Sequence, residues 1–353
     1  MKLSLPQFLQ IALLSGLFVL PISASQTSPL TLKQDAPKSY WVKKGDTLWD
    51  ISALYLDSPW LWPRLWQVNP DIKNPHLIYP GDRLNLIWRN GQPLLSLKPM
   101  VKLIPKARMK KKVAIPTVRE ELVLPYLQSD RLIELERLQQ ADKVVGSNDG
   151  KRYLTNRTSI YISGVHRTPR WGIYREMQTF DVRGNKVVAL KKVAEAEIER
   201  NHDGITALTI VRQRQEILVG DIALNDVDSD IVELKVTFYP QPASSTLTLS
   251  ILGSLEGSQY VGAHGVVVID GGKDQKLQQG SMFELYQLGT QTHVEQSSFQ
   301  LPNKLVGHLM VIRPYENYSL ALITQSLSPI GVETQLYSPN HSVPKALPQK
   351  ESK

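Results

Sequence analysis

From Tyr153 onward the chain is a succession of short β-branched and aromatic runs: SIYISG, KVVALKKV, ITALTIV, DIVELKVTFY, GVVVID, HLMVIR and SLALIT. Gly, Pro, Asn and Asp separate them. Runs of this length bounded by turn formers read as strands, so the C-terminal two-thirds is expected to be mostly β. Two stretches also resemble each other. Gly172-Ile-Tyr174, Glu197-Ile-Glu-Arg200, Ala207-Leu-Thr-Ile210 and Val219-Gly-Asp221 are followed, in the same order and at similar spacing, by Gly280-Ser-Met-Phe283, Met310-Val-Ile-Arg313, Ala321-Leu-Ile-Thr324 and Val332-Glu-Thr334. Chance similarity between β segments is the competing explanation; a true repeat predicts two small β-barrel-like modules in tandem. Gly220-Asp221 and Asp270-Gly271-Gly272 read as hairpin punctuation.

Ahead of this region the composition is different. Six of the seven Trp lie between Trp41 and Trp88. Tyr40-Trp-Val42 is a short extended run that ends at the turn Lys43-Lys-Gly-Asp46, where Gly45 is free to adopt positive φ. Asp46 or Thr47 can cap a helix whose apolar positions are Leu48, Ile51, Leu54 and Tyr55. Leu61, Leu65, Trp66 and Val68 mark a second helix closed at Asn69-Pro70. A turn through Asn74 to Asp82 then leads into a strand, Arg83 to Trp88. The order is β, α, α, β. The tryptophans Trp49, Trp60, Trp62 and Trp66 read as core, with a sugar-stacking face as the alternative.

Those residues resemble the LysM family, which binds peptidoglycan and chitin. The resemblance is carried by Tyr40-x-Val42-x-x-Gly45-Asp46-Thr47-Leu48-x-x-Ile51, Leu65-x-x-Val68-Asn69-Pro70 and Ile78-Tyr79-Pro80-Gly81-Asp82-x-Leu84. The segment Ser58 to Pro63 is longer and more aromatic than a minimal module. It is similar to a variant found in proteobacterial envelope proteins, where an uncharacterised β-rich region comes after it. The resemblance implies a shallow glycan groove between two loops: Gly45, Asp46, Thr47 and Leu48 on one side, and Asn74, Pro75, His76, Leu77 and Ile78 on the other. Backbone N–H and C=O groups on fixed loops suit an acetamido group, and a small apolar floor suits its methyl. The implied partner is the N-acetylglucosamine-containing glycan of peptidoglycan. His76 is as readily a solvated loop histidine as a ligand contact.

The remaining segments concern placement. Lys2, the apolar run Phe8 to Ile22 and the small residues Ser23, Ala24 and Ser25 have the layout of a secretory signal peptide. The run is shorter than the roughly 20 residues of a membrane-spanning helix. This places the protein in the periplasm or cell envelope, with no transmembrane segment in the mature form. Seven Lys or Arg and no acid fall between Lys98 and Lys112, so the formal charge of +8 is largely local and reads as a linker rather than a nucleic-acid-binding face. From Ser129, the residues Leu132, Leu135 and Leu138 predict a short amphipathic helix with Ser129 as N-cap.

The expected architecture is multidomain α+β: a signal peptide (1–24), a leader (25–38), the βααβ LysM module (39–88), a basic linker (89–112), a short helix with a first β-rich module (113–225), a second β-rich module (226–337) and a disordered tail (338–353). Catalysis is not expected. Without Cys there is no thiolate nucleophile. The seven His are scattered, with no H-x-H or H-E-x-x-H, and neither a G-x-S-x-G elbow nor a phosphate-binding loop occurs. No cofactor or metal is expected. The reading is a non-catalytic wall-binding protein whose β-rich region meets an envelope protein partner. The alternatives are an assembly component of an envelope machine and an unrecognised cell-wall hydrolase.

Overall fold

The computed structural model describes residues 30–66, 78–89, 91–98, 117–128, 131–148, 150, 153–154, 159–225, 238–244, 247, 249–294 and 297–339. The signal peptide, the basic run 99–112, Asn74 to Leu77, Ser129 and residues 340–353 of the tail lie outside the described residues.

The N-terminal module comprises β1 (Ser39–Trp41), α1 (Leu48–Tyr55), a 3-10 turn (Pro59–Leu61), α2 (Trp62–Trp66), β2 (Arg83–Arg89) and β3 (Gln92–Lys98). The three strands form an antiparallel sheet in the order β1-β2-β3. β3 falls where a linker was expected. Gly91, at φ +74, closes a hairpin, and Leu94 and Leu95 in β3 are buried. An apolar strand edge that can pair and bury two leucines is more stable paired than solvated. The leader is also part of the module: Leu32 bridges Leu56, and Lys33 Nζ donates to Ala53 O at 2.8 Å.

Two turns of one design set the module's loops. In Lys43-Lys-Gly-Asp46 and Tyr79-Pro-Gly-Asp82 the glycine has φ near +95, and the Asp N–H donates to the carbonyl three residues back. The Asp carboxylate in turn accepts from the N–H of that same residue, at 2.7 Å from Lys43 and 2.9 Å from Tyr79. Positive φ at the third residue of a type II turn requires glycine. Val42 then links the turns by donating to Asp82 O and accepting from Gly81 N.

After α3 (Glu120–Gln128), the amphipathic helix expected through Leu132 and Leu138 is instead β4 (Arg131–Glu134) followed by α4 (Leu135–Gln139). Arg131 to Glu134 pairs with Leu190 to Val187 of β9 (Asn185–His202), and this tertiary pairing overrides the helical spacing of the leucines.

The first β module contains β5 (Asp142–Ser147), β6 (Tyr153–Leu154), β7 (Ile160–Ser163), β8 (Arg170–Val182), β9, β10 (Ile205–Gln213), β11 (Ile217–Leu218) and β12 (Ile222–Asn225). Its ring runs β5-β7-β10-β9-β8-β12 and closes on β5, antiparallel throughout. The second module contains β13 (Gln241–Pro242), β14 (Leu249–Ser254), β15 (Val266–Ile269), β16 (Ser281–Gln287), β17 (Gln291–Val294), β18 (Ser297–Gln300), β19 (Lys304–Pro314), β20 (Ser319–Ser326) and β21 (Gln335–Tyr337). Its ring runs β14-β15-β20-β19-β16-β21 and closes on β14. Numbering the six ring strands of each barrel in chain order gives the same circuit in both: first, second, fifth, fourth, third, sixth. The repeat seen in the sequence maps onto it: Gly172 and Gly280 fall at the third ring strand, Glu197 and Met310 in the fourth, Ala207 and Ala321 in the fifth, and the Val219 and Val332 turns precede the sixth. Closure leaves no unpaired edge within each ring.

The modules share a core. Residues of α1, α2, α3, the tip of the long β8–β9 hairpin, and the outer face of the second barrel (Val266, Val268, Met282, Met310, Ile312, Leu320 and Leu322) form one continuous buried cluster. The barrel interior is separate, lined by Phe283, Leu285, Leu309, Val311 and Ile323 among others. Several strands of the second barrel are thus apolar on both faces, the pattern of a sheet covered on both sides. The hairpin tip is a tight turn at Arg183-Gly184, both at positive φ. It is held by Arg183, whose Nη1 donates to Asp274 Oδ2 at 2.9 Å and whose Nη2 donates to Asp270 O at 2.8 Å.

Candidate glycan-binding site

The candidate groove begins at the N-terminus of α1. Gly45 is exposed at the tip of its turn, and Asp46 is half-buried, its carboxylate accepting from Tyr40 Oη at 3.0 Å as well as from Lys43 N. Burial, and after it this bond to Asp46, raises the Tyr40 phenol above its ordinary value. Thr47 is the N-cap of α1: it is 2 % exposed and its Oγ1 accepts from Asp50 N at 3.0 Å. Such a cap satisfies an N–H that has no partner within the helix and typically contributes about 1 kcal/mol. Leu48 and Ile78, from the two sides of the groove, are both fully buried. Their side chains are core, so what they can offer a ligand is backbone. Asn74, Pro75, His76 and Leu77 lie outside the described residues. Trp49, Trp60, Trp62 and Trp66 are buried, as the core reading expects, whereas Trp41 and Trp88 are exposed.

The sequence did not point to the residues beside the Thr47 corner. Trp49 N donates to Thr117 O at 3.0 Å, and Arg119 approaches Asp50 at 3.6 Å across an exposed ion pair. Val118, Leu122 and, from the second barrel, His264, Leu322 and Thr324 line a narrow crevice with Thr47, Trp49 and Asp50. His264 takes a left-handed backbone, φ +72, and its N–H donates to Ile323 O at 2.7 Å. These residues are far from the module in the chain, so only the tertiary fold brings them to its rim.

A second polar cluster sits on the outer face of the second barrel. Glu284 and His308 are directly opposed on β16 and β19. Tyr286 Oη donates to Glu284 Oε2 at 2.9 Å, and His308 Nδ1 lies 3.2 Å from Gln325 Oε1. His308 Nε2 is buried and finds no hydrogen-bond partner among the described residues. Burial lowers the His308 imidazole, opposed by its bond to Gln325, and burial raises the Glu284 carboxyl. The two shifts act oppositely on stability. The unfolded chain protonates His308 first, so the stability this neutral histidine contributes is present above about pH 6.5 and declines as pH falls below it. The raised Glu284 favours the fold when protonated, and that contribution is full below the ordinary carboxyl value and is lost as pH rises from there through the raised one. Thermal melts at about pH 7.5 and about pH 5.5 should therefore show a smaller acid loss for His308→Gln than for the wild type. An equal loss in both would remove His308 as its source.

The LysM domain family model matches residues 40–86. The chain is also similar to the uncharacterized protein YqbP of Bacillus subtilis (strain 168), with 38 % identity over 63 residues, 15 % of this chain and 29 % of that protein. The chain thus spans less than a third of the length of this curated relative. A LysM domain supports binding to peptidoglycan-type glycan. Among the described residues, no helix is long and apolar enough to cross a membrane. The segment 40–86 is a LysM domain, set before a β-rich region that closes into barrels.

Proposed function

We propose that this is a non-catalytic protein of the bacterial envelope, exported by its N-terminal segment, in which the LysM domain holds N-acetylated wall glycan and carries the double barrel to the wall. The observation that supports this best is the pair of Gly-Asp turns. They fix the first loop and the approach to β2 by backbone geometry while leaving Gly45 at the surface. Preformed backbone donors and acceptors on two rigid turns suit an uncharged acetamido sugar. One groove of this kind binds weakly, and lasting attachment to a polymer calls for several grooves or a second contact.

Deleting the whole domain is a poor test, because its core is continuous with the barrel's outer face. The purified protein should instead pellet with insoluble peptidoglycan and be released by soluble N-acetylglucosamine oligomers. Asp46→Ala, which frees Lys43 N and Tyr40 Oη, should weaken pelleting by about tenfold, the loss of one or two well-placed hydrogen bonds. Pelleting that neither Asp46→Ala nor the oligomers reduce would overturn the glycan assignment. Released muropeptides would overturn the non-catalytic reading.

A further inference from the structure

The crevice beside Thr47 joins the first loop of the glycan groove to the second barrel, and both of its sides are pinned. On one side Trp49 N donates to Thr117 O at 3.0 Å, which holds Val118 and Arg119 against the start of α1. On the other, the β14–β15 loop is tied to β20 twice: His264 N donates to Ile323 O at 2.7 Å, and Ile323 N donates to Gly265 O at 2.9 Å. Val118 and Leu322 form the buried part of the lining, and Asp50, Arg119 and His264 the accessible part. The crevice encloses about 20 Å³, room for one small group and far too little for a sugar ring. His264 holds φ +72, a conformation uncommon outside glycine, in a loop that already places glycine at 262 and 265. Residues kept in sparsely populated backbone regions concentrate where their side chains contact ligands.

We propose that this crevice is a second acetamido subsite, which takes the N-acetyl group of a neighbouring sugar where wall glycan passes from the LysM groove onto the second barrel. The inference rests on the glycan reading above. Thr47 belongs both to the first loop and to the crevice, so the two sites adjoin. An acetamido group is a methyl beside one N–H and one C=O. The methyl matches the apolar depth at Val118 and Leu322, and the amide meets donors and acceptors at the mouth. Asp50 and Arg119 act there as a pair, not as free charges. A carboxylate has more lone pairs, and a guanidinium more N–H donors, than their one contact at 3.6 Å uses. Asp50 can therefore accept from the amide N–H and Arg119 donate to its C=O with the pair intact. The His264 ring adds a donor or an acceptor according to its tautomer. A paired mouth favours an uncharged ligand, because an anion would have to compete with Asp50 for Arg119. Two adjoining subsites on one strand act together, so a weak groove gains affinity with glycan length.

The test is calorimetric titration of the intact protein with the disaccharide and the pentasaccharide of N-acetylglucosamine. His264→Gly removes the ring and suits the left-handed backbone, so this variant should melt no lower than the wild type. Arg119→Ala changes an exposed side chain. Each should weaken the pentasaccharide by about tenfold, the loss of one or two hydrogen bonds, and leave the disaccharide, held in the LysM groove, unchanged. Asp46→Ala, which acts on the groove alone, should weaken both. If Asp46→Ala weakens the pentasaccharide while His264→Gly and Arg119→Ala leave it intact, the subsite is overturned and the glycan reading stands. Equal weakening of both oligomers by His264→Gly would also overturn the subsite. If His264→Gly weakens the pentasaccharide and Asp46→Ala does not, the crevice stands and the groove assignment falls. A wild type that binds neither oligomer would remove the glycan reading and this inference with it.

Discussion

Replacing Trp62 with alanine is expected to destabilise the LysM domain and the second barrel together, by about 3–5 kcal/mol. Trp62 opens α2 and is fully buried, with its ring edge-on to Tyr239 at 5.6 Å. It belongs to the buried cluster that runs from α1 and α2 to Met282, Met310 and Leu322 on the barrel's outer face. Truncating a large aromatic in a close-packed interior loses its transfer free energy and leaves a cavity that neighbours fill only in part. Because the cluster is continuous, the loss should not stay within the module. Denaturant unfolding followed by tryptophan fluorescence reports mainly on residues 41–88, where six of the seven Trp lie, and far-ultraviolet circular dichroism reports mainly on the strands. Coincident transitions, both shifted to lower denaturant in Trp62→Ala, are the expected result. If only the fluorescence transition moves, the LysM domain folds independently and the shared core contributes little.

Gly280→Ala should cost on the order of 3–4 kcal/mol, far more than Gly220→Ala, although both glycines occupy the same kind of turn. Gly220 at φ +93 and Gly280 at φ +97 are each followed by a residue whose side chain accepts from the N–H three residues back: Asp221 from Leu218 at 2.8 Å, and Ser281 from Gln278 at 3.1 Å. In both, a side chain on left-handed backbone costs about 1–2 kcal/mol. Around Gly220 there is open space for a Cβ. At Gly280 a Cβ would collide with the Tyr239 carbonyl, since Gln241 N donates to Gly280 O at 3.0 Å and draws the two chains together. Backbone cannot rotate away as a side-chain tip can, so β13 would have to move off β16. Relative melting temperatures of the two variants measure this, and equal shifts would show that the close approach carries no energy.

Much of the architecture was legible because it depends on neighbours in the chain. The Gly-Asp turns, a helix cap at Asp46 or Thr47, which the structure assigns to Thr47, and the buried spacing of Leu48, Ile51 and Tyr55 arise from local backbone preferences, so much of the LysM domain could be read from its residues. The order of the matched segments allowed two barrels without excluding chance similarity, since similar segments at similar spacing can close the same circuit. Where neighbours misled, a distant partner was the cause. Leu132, Leu135 and Leu138 have helical spacing, yet Arg131 to Glu134 pairs with β9, and Gln92 to Lys98 adjoins a basic run yet extends the sheet. Of the groove residues, Gly45 and Asp46 were legible as a turn. That Leu48 and Ile78 would be wholly buried depended on how the module packs.

The sequence by itself therefore determined the LysM domain and the β-rich nature of the region C-terminal to it, because turns, caps and hydrophobic period are properties of short stretches of chain; the doubling of that region it offered beside chance similarity, and the two rings decided it. Only the tertiary structure decided that both rings close in the same order, that the domain is seated on the second barrel, and that Thr47, Arg119 and His264 line one crevice. Residues more than 170 positions apart, such as Leu132 and Tyr315, meet in the same way. Such meetings are set by packing two finished barrels, a surface-to-surface fit that no local pattern encodes.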